Sequence, residues 1–441
     1  MKKSLYLYSL VAALGGLLFG FDTAVINGAL PFLRDYFKLT ETMEGWAISS
    51  AILGCVIGAL FIGRPGDIFG RRFMLKIVAI LYLISAVGSG LADNISTFII
   101  YRIIGGIAVG GASVLSPTYI SEISPAKYRG RFTITFQMAI VIGILLAFFS
   151  DYLLIGIGEN NWRWMFIAEA IPASFFFVML FFVARSPRWL VKSGKIDEAR
   201  ETIEKVNIGV DANKLIEEIK QSIDEKVVNS LAVLFRKPYL KLIYLGIFIA
   251  VTNQLTGINI IMYYSTDIFR EAGFSTESGI AQTVIIGATN LLFTILAMMV
   301  IDKIGRKKML LSGALGMSVF LALFAHAFIT NIGGYVLLGY LVGFVACFAF
   351  SHGAVVWVLF SEMFPNNVRA RGVSISSFSN WTANALTIFL FPIIARNYTN
   401  GIGYLFAFYA IVTFLSFFIF KKYIVETKGK TLEALEKEML K

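Results

Sequence analysis

The chain of 441 residues contains twelve long apolar runs separated by polar segments. A run of about 20 apolar residues forms a helix that crosses the ~30 Å hydrocarbon core of a bilayer. The strict alternation of apolar and polar residues that is typical of membrane β-strands does not occur in them. The sequence therefore predicts an all-α membrane protein with twelve transmembrane helices. We number these spans 1 to 12; they lie roughly at 6–32, 46–63, 73–92, 96–120, 132–156, 163–184, 239–269, 279–301, 309–329, 333–361, 372–395 and 402–420.

The positive charge of the chain is unevenly divided between the two sides of the predicted membrane. With both termini on one side, 33 of the 39 lysines and arginines fall on that side. Such an excess marks the cytoplasmic side of a membrane protein. The net charge of +11 therefore reflects topology rather than a nucleic-acid partner. We predict that both termini are cytoplasmic, and the short loops favour a cell membrane of the bacterial inner type.

One long polar stretch, 190–238, divides the spans into two sets of six. Ile196, Ala199 and Ile203 within it share one helical face, as do Leu215 and Ile219. This spacing predicts short amphipathic helices at the cytoplasmic surface, with a flexible linker as the alternative. The predicted organisation is an N-terminal six-helix half (1–189), a cytoplasmic helical linker (190–238) and a C-terminal six-helix half with a short tail (239–441).

Two charged loop motifs occur once in each half. The first has an aspartate four residues before an arginine and recurs 235 residues later; the second has a glutamate seven residues before an arginine and recurs after 240 residues. Nearly equal offsets indicate an internal duplication, which is common in secondary transporters. Such charges can bias a conformational equilibrium by pairing in one state only, whereas simple topology signalling is the alternative. The predicted gating residues are Asp67, Arg71, Glu122, Arg129, Asp302, Arg306, Glu362 and Arg369.

Charged residues occur inside apolar spans, among them Asp22 in span 1, Arg102 in span 4 and Glu169 in span 6. A charge at membrane depth costs several kcal/mol, so such residues usually pair and mark a substrate or proton path. The helical rise of about 1.5 Å per residue places all three in one layer of the membrane. We predict that Asp22 pairs with Arg102 and takes up a proton on release from it, while Glu169 tunes the pair or satisfies Arg102. A structural ion pair in a passive carrier is the alternative.

Short motifs along nearly the whole chain resemble those of the sugar porter family of the major facilitator superfamily. They are RIIGG, the GRR and GRKK loops, YRGR, SPRWL at 186–190, QLTGIN at 254–259, WVLFSEMFP at 357–365, SNWTAN at 379–384 and ETKG at 426–429. The resemblance implies the major facilitator fold and monosaccharide transport by alternating access. Its proton–sugar symporters carry aspartate where this chain has Asp22, whereas its facilitators typically carry asparagine. The chain departs from the family at two positions. It has Arg185 where the family has an acidic residue, and Val425 where the family has a proline.

The same resemblance implies a sugar site. Sugar hydroxyls are bound by amide side chains, which both donate and accept, beside an aromatic surface. Gly257 would let span 7 break near several amides, although any single amide could instead bond a neighbouring helix. The implied substrate-binding residues are Gln137, Asn253, Gln254, Asn259, Tyr263, Asn290, Trp357, Asn380 and Trp381.

We therefore predict a secondary active transporter that imports a hexose or pentose by proton symport. A facilitated uniporter with the same site and, less favoured, a transporter-like sugar sensor are the alternatives. The sequence has no Ser/His/Asp set or phosphate loop, so no enzyme is expected. His326 and His352 have no second ligand at metal spacing, so neither a metal nor a cofactor is expected beyond the coupling proton. The predicted partners are a small sugar and the bilayer, without nucleic acid, and the chain is predicted to be monomeric.

Overall fold

A computed structural model describes residues 3–125, 129–206, 211–224, 237–365, 368–428 and 435. Within these ranges the regular secondary structure is helical. The helices, in chain order, are α1 (Lys3–Phe37), α2 (Glu41–Phe61), α3 (Gly63–Phe69), α4 (Arg71–Gly90), α5 (Ile95–Ile123), α6 (Arg129–Leu154), α7 (Asn161–Ala168), α8 (Ala170–Met179), α9 (Pro187–Lys192), α10 (Ile196–Val206), α11 (Ala212–Asp224), α12 (Lys237–Gln254), α13 (Ile258–Glu271), α14 (Thr276–Ile304), α15 (Arg306–Ile329), α16 (Tyr335–Phe350), α17 (His352–Met363), α18 (Arg369–Asn397) and α19 (Gly401–Tyr423).

Eleven helical segments of the described chain are long and apolar enough to cross a membrane. They correspond to the predicted spans except span 6, which is divided into α7 and α8 at Glu169. Pro172 lacks the backbone N–H that would bond to the carbonyl of Ala168, the last residue of α7. The missing hydrogen bond accounts for the interruption at this point. With the divided span included, the twelve-helix prediction is confirmed.

The chain forms two compact units. The first comprises Met1–Phe32 and Ser50–Lys226, and the second comprises Leu33–Ser49 and Val227–Lys441. In the first unit α4 packs against α5, α7 and α8. In the same unit α9, α10 and α11 pack against one another through a small apolar cluster. In the second unit α15 packs against α16 and α19, and α12 packs against α18. The amphipathic helices predicted in the linker are therefore present as α10 and α11.

Glycines bring α1 and α6 of the first unit into close contact. A Cβ atom at Gly16 would lie 2.6 Å from the carbonyl oxygen of Phe136, and one at Gly28 would lie 2.5 Å from Oδ2 of Asp151. Small residues at such positions let the backbones of membrane helices approach. The close approach holds the part of α1 that carries Asp22 inside the unit.

Candidate functional site

Arg102 and Asp22 form a buried ion pair between α5 and α1. Nη1 of Arg102 donates to Oδ1 of Asp22 at 2.8 Å, and Nη2 donates to the backbone carbonyl oxygen of Asp22 at 3.0 Å. Their side chains are 0% and 1% exposed, respectively. A Cβ atom at Gly105 would lie 3.0 Å from the same carboxylate oxygen, so the glycine leaves room for the pair. Two bonds to one residue hold the guanidinium in a defined orientation.

Glu169 lies beside this pair. Its carboxyl group is buried in the same unit, and its electrostatic neighbours are Asp22 and Arg102. Two carboxylates and one guanidinium would leave a net charge of −1 in a buried site, which is costly. The three side chains therefore provide a place for one proton.

Two buried residues of α4, Tyr82 and Ser85, carry hydroxyl groups in the same unit. Ser85 Oγ lies next to the space at Gly105 that Asp22 also borders. Neither hydroxyl has a hydrogen-bond partner among the described residues. Sequence reasoning missed both, because single hydroxyls are common in apolar spans. Their spacing of three residues, which puts them on one helix face, was the available signal.

Asp151 is another charged side chain in the spans of the first unit. Sequence reasoning missed it. It is 0% exposed on α6, and its carboxyl oxygens have no hydrogen-bond partner in the described part of the chain. Its neighbour across the α1 contact is the backbone of Gly28 rather than a cation. An acid inside an apolar run was a visible signal in span 5.

Two amides at the break in span 7 bond to one amide of α18 in the second unit, and a third amide bonds to one of these two. Gln254 Nε2 donates to Asn380 Oδ1 at 2.9 Å, and Asn253 Nδ2 donates to the same oxygen at 3.4 Å. Asn259 Nδ2 donates to Gln254 Oε1 at 2.6 Å. The structure thus brings four of the predicted sugar-binding residues into one hydrogen-bonded chain.

The break that makes this chain of amides possible lies at Gly257. Helix α12 ends at Gln254 and α13 begins at Ile258, with Gly257 between them in the left-handed region at φ +80°. A Cβ atom there would also lie 2.7 Å from Cδ2 of Tyr409 on α19. Glycine is therefore required for both conformation and space.

The other predicted sugar-binding residues differ in how deeply they are buried. Tyr263 and Asn290 are buried in the second unit, and Trp381 is half-buried on α18. Trp357 is 40% exposed and packs edge-on against a phenylalanine of α17. Gln137 is half-buried on α6 of the first unit.

Two further buried amides of the second unit were missed. Asn384 follows Asn380 by one turn of α18, and Gln282 lies on α14. The side-chain oxygen of each has no hydrogen-bond partner among the described residues. The SNWTAN motif contains Asn384, so this residue could have been predicted from the same resemblance.

The predicted gating residues of the first unit meet at Arg71. Its guanidinium pairs with Asp67 at 2.5 Å and with Glu122 at 2.9 Å. The Ser186 hydroxyl, which also caps α9, donates to Glu122 at 2.5 Å. One arginine thus connects the loop before α4 with the end of α5.

The second unit repeats this arrangement at Arg306. Its guanidinium pairs with Asp302 at 2.9 Å and with Glu362 at 3.1 Å. The Thr427 hydroxyl donates to Glu362 at 2.5 Å. Thr427 follows Ser186 by 241 residues, so the two hydroxyls are a third repeated position that sequence reasoning missed.

The two remaining predicted gating arginines are Arg369 and Arg129. Arg369 donates from Nε to the carbonyl oxygen of Phe364 at 3.1 Å. Arg129 begins α6, but its side chain lies outside the described residues.

A four-charge cluster of the second unit joins the end of α1 and the start of α2 to α13 and α18. Arg34 donates to both carboxylate oxygens of Glu44, at 2.7 and 3.1 Å, and also pairs with Asp267. Arg396 donates to both oxygens of Glu44 at 3.0 and 3.2 Å. The Glu44 side chain is 0% exposed. Arg270 also pairs with Asp267, at 3.5 Å, at the edge of the cluster. Sequence reasoning missed the cluster because Glu44 and Arg396 are 352 residues apart.

Comparisons with known proteins show the family to which the chain is similar. A family model described as "Sugar (and other) transporter" matches residues 8–439. The D-xylose-proton symporter of Escherichia coli (strain K12) is 38% identical over 475 residues, covering 98% of this chain and 96% of the relative. The arabinose-proton symporter of Bacillus subtilis (strain 168) is 38% identical, covering 99% and 95%. An inward open structure of the xylose transporter XylE from E. coli superposes with a TM-score of 0.87 at 37% identity, covering 98% of this chain and 99% of that one.

Proposed function

The chain belongs to the sugar (and other) transporter family, and we propose that it imports a monosaccharide by proton symport. It is a multi-pass membrane protein and a transporter rather than an enzyme. The observation that carries the coupling proposal is the buried group of Asp22, Arg102 and Glu169, which is neutral only with one bound proton. The names of two relatives, a xylose and an arabinose symporter, favour a pentose over a hexose.

The proposed coupling step is protonation of the acid pair beside Arg102. In the observed state the guanidinium bonds to Asp22, and Glu169 is buried beside them. A proton on this acid pair removes the net charge, and the loaded carrier can then rearrange without exposing a buried charge to the hydrocarbon. Loss of the proton on the cytoplasmic side restores the charge and resets the site. Asp22 is the proposed carrier of the proton, and Glu169 is its proposed hydrogen-bond partner.

The proposed sugar site is built on the amide chain of Gln254, Asn259 and Asn380. These amides bond to one another, so each of the three has at least one hydrogen-bond partner. Sugar hydroxyls can replace the amide–amide bonds one for one, since a hydroxyl both donates and accepts. Sugar binding therefore replaces amide–amide hydrogen bonds with amide–sugar hydrogen bonds. Selectivity among sugars comes from the positions of the amides. We also propose contacts from Gln137, Asn253, Tyr263, Asn290, Trp357 and Trp381.

We propose gates on both sides of the membrane. The networks at Arg71 and Arg306 would close the cytoplasmic side, where most lysines and arginines and both termini are proposed to lie. The cluster of Arg34, Glu44, Asp267 and Arg396 would close the outer side. Asp267 lies one helical turn beyond Tyr263 on α13, so this cluster adjoins the proposed sugar site. The carrier is proposed to act as a monomer in a bacterial inner membrane.

The test is sugar uptake into proteoliposomes that contain the purified protein. Xylose, arabinose and glucose are each supplied with an inward proton gradient, without a gradient, and with the gradient collapsed by a protonophore. We expect accumulation of a pentose above the external concentration with the gradient alone. Equal uptake in all three conditions would favour the uniporter, and no uptake of any sugar would refute the proposal.

A further inference from the structure

Ser85 on α4 carries a buried hydroxyl group that the proposed coupling step does not use. The residue is 1% exposed, and its Oγ has no hydrogen-bond partner among the described residues. An unpartnered polar atom in an apolar environment is costly, so each such atom in a native protein needs an explanation. A partner that Ser85 bonds in another state of the transport cycle is such an explanation.

The hydroxyl of Ser85 does not make the bond that is usual for hydroxyls within helices. Serine and threonine side chains inside helices often donate to the carbonyl oxygen one turn back. In the first unit, Thr23 Oγ1 donates to the carbonyl oxygen of Phe19 at 2.6 Å, and Thr118 Oγ1 donates to that of Val114 at 2.7 Å. Ser85 makes no bond of this kind. Its hydroxyl hydrogen is therefore available to a group on a neighbouring helix.

The space at Gly105 of α5 places Ser85 next to Asp22 of α1. A Cβ atom at Gly105 would lie within 3.0 Å of both Ser85 Oγ and Oδ1 of Asp22. The two oxygens are not bonded to each other in the observed state. Because glycine has no side chain, no side-chain atom of residue 105 stands between them. A change of Ser85 between staggered χ1 rotamers redirects its hydroxyl within this space.

The oxygen of Asp22 next to Ser85 is the same one that Arg102 binds. Nη1 of Arg102 donates to Oδ1 at 2.8 Å, and Gly105 follows Arg102 by three residues on one face of α5. The guanidinium and the hydroxyl therefore belong to two helices that both adjoin this oxygen. A charge-assisted bond from a guanidinium is stronger than a bond from a neutral hydroxyl. Competition for Oδ1 in the observed state thus favours Arg102 and leaves Ser85 unbonded.

We infer that Ser85 is a positioning residue for proton coupling, whose hydroxyl donates to Oδ1 of Asp22 when Arg102 leaves that oxygen. The inference rests on the proposed function, in which the acid pair takes up a proton. Protonation of Asp22 weakens its bond to the guanidinium, because the bond then joins a cation to a neutral group. The proton stays on the acid pair, and Ser85 keeps its own hydrogen throughout. Ser85 thus supplies the hydrogen bond that the buried carboxyl group would lose during the rearrangement.

Loss of this donor should change the pH dependence of uptake. The charged or titratable groups that have Asp22 as an electrostatic neighbour are Arg102 on α5, Glu169 between α7 and α8, Tyr82 on α4 and Cys55 on α2. A hydrogen bond donated to a carboxylate favours its charged form, so removal of the donor lets Asp22 keep its proton to higher pH. The pH at which uptake falls to half on the alkaline side should therefore rise.

The first experiment measures proton-driven sugar uptake against external pH in proteoliposomes that contain the whole carrier. Ser85→Ala removes the donor, and Ser89→Ala is the matched control. Ser89 lies one turn further along α4, is also 1% exposed and also has an unpartnered hydroxyl, whereas the atoms nearest to the space at Gly105 belong to Ser85 and Asp22. We expect Ser85→Ala to raise the alkaline midpoint by about one pH unit. Ser89→Ala, and Ser85→Thr, which keeps the hydroxyl, should leave the midpoint in place.

The second experiment observes the carboxyl group of Asp22 without transport. Infrared difference spectra of the sugar-bound carrier between acid and alkaline pH contain the C=O stretch of the protonated acid, which is assigned by its loss in Asp22→Asn. A hydrogen bond to a C=O group lowers its stretching frequency. Ser85→Ala should therefore move this band to higher wavenumber, and Ser89→Ala should not.

The two experiments separate the role of Ser85 from the proposed function. An unchanged band in Ser85→Ala, or equal changes in both alanine variants, would overturn the inference. A carrier that ignores the proton gradient would refute proton symport, and the infrared band then decides the role of Ser85 by itself. Ser85→Ala should fold, because no hydrogen bond of the observed state is lost. Thermal melting checks this, and Ser85→Cys, whose thiol is a weak donor, replaces it if it does not fold.

Discussion

Replacement of Asp22 by asparagine should uncouple sugar uptake from protons in a carrier that still folds. The asparagine side-chain oxygen can accept from Nη1 of Arg102 as the carboxylate does at 2.8 Å, and the 3.0 Å bond from Nη2 to the backbone carbonyl does not depend on the side chain. Glu169, buried beside the pair, then balances the charge of Arg102. The group is therefore neutral without any added proton.

The size of the effect follows from the proton gradient. A gradient of one pH unit supplies about 1.4 kcal/mol per proton, which corresponds to a tenfold concentration ratio. If one proton moves with each sugar, the unmodified carrier should approach about tenfold accumulation, and Asp22→Asn should approach a ratio of about one. Exchange of labelled for unlabelled sugar should persist in the variant, because the amide chain of the second unit is untouched.

The assay compares accumulation and exchange in the same proteoliposomes. Asp151→Asn is the matched control, since Asp151 is equally buried in the first unit but has no cation beside it. That variant should keep the proton-driven accumulation. Accumulation by Asp22→Asn at the level of the unmodified carrier would show that coupling lies elsewhere. Loss of exchange in Asp22→Asn would show that the pair is needed for the rearrangement itself.

The remaining predictions concern the sugar site and the outer gate. Gln254→Ala should weaken sugar binding by about 1–3 kcal/mol, because it leaves its amide partners unpaired; calorimetric titration checks this, and unchanged affinity would remove Gln254 from the site. Gly257→Ala should lower thermal stability by about 1 kcal/mol or more, because it adds φ strain and a contact with Tyr409; an unchanged melting temperature would contradict it. Arg34→Ala should increase labelling of single cysteines at the outer end of the sugar site, because it leaves Glu44 with one arginine instead of two; unaltered labelling would argue against an outer gate.

The sequence alone determined the membrane class, the number of spans and the internal duplication. Membrane spans are readable because a helix in hydrocarbon must satisfy its own backbone hydrogen bonds and expose apolar side chains along its whole length. The duplication was readable because Asp67 and Arg71 recur at one offset as Asp302 and Arg306. The break of span 7 at Gly257 was also predictable, since glycine is a local cause of a local feature.

The residues of the buried charged site could be predicted from the sequence, but the contacts between them could not. Asp22, Arg102 and Glu169 stood out because each is expensive in an apolar span. Depth along a helix could be estimated from the rise per residue, but the direction in which each side chain faces could not. The bond of Arg102 to the backbone of Asp22, and the hydroxyls of Tyr82 and Ser85 nearby, depend on how the helices pack.

Only the tertiary structure decided which distant charges meet. The bonds of Glu44 to Arg34 and Arg396 join residues that are 10 and 352 positions apart, and no local pattern specifies such a pairing. The transmembrane spans could be predicted because backbone hydrogen bonding and solvation by lipid act on each helix separately. The duplication could be predicted because the same motifs occur twice in the sequence. The ion-pair partner of each charged side chain depends on the three-dimensional packing of the helices. That packing decides which group of opposite charge lies within a few ångströms of it.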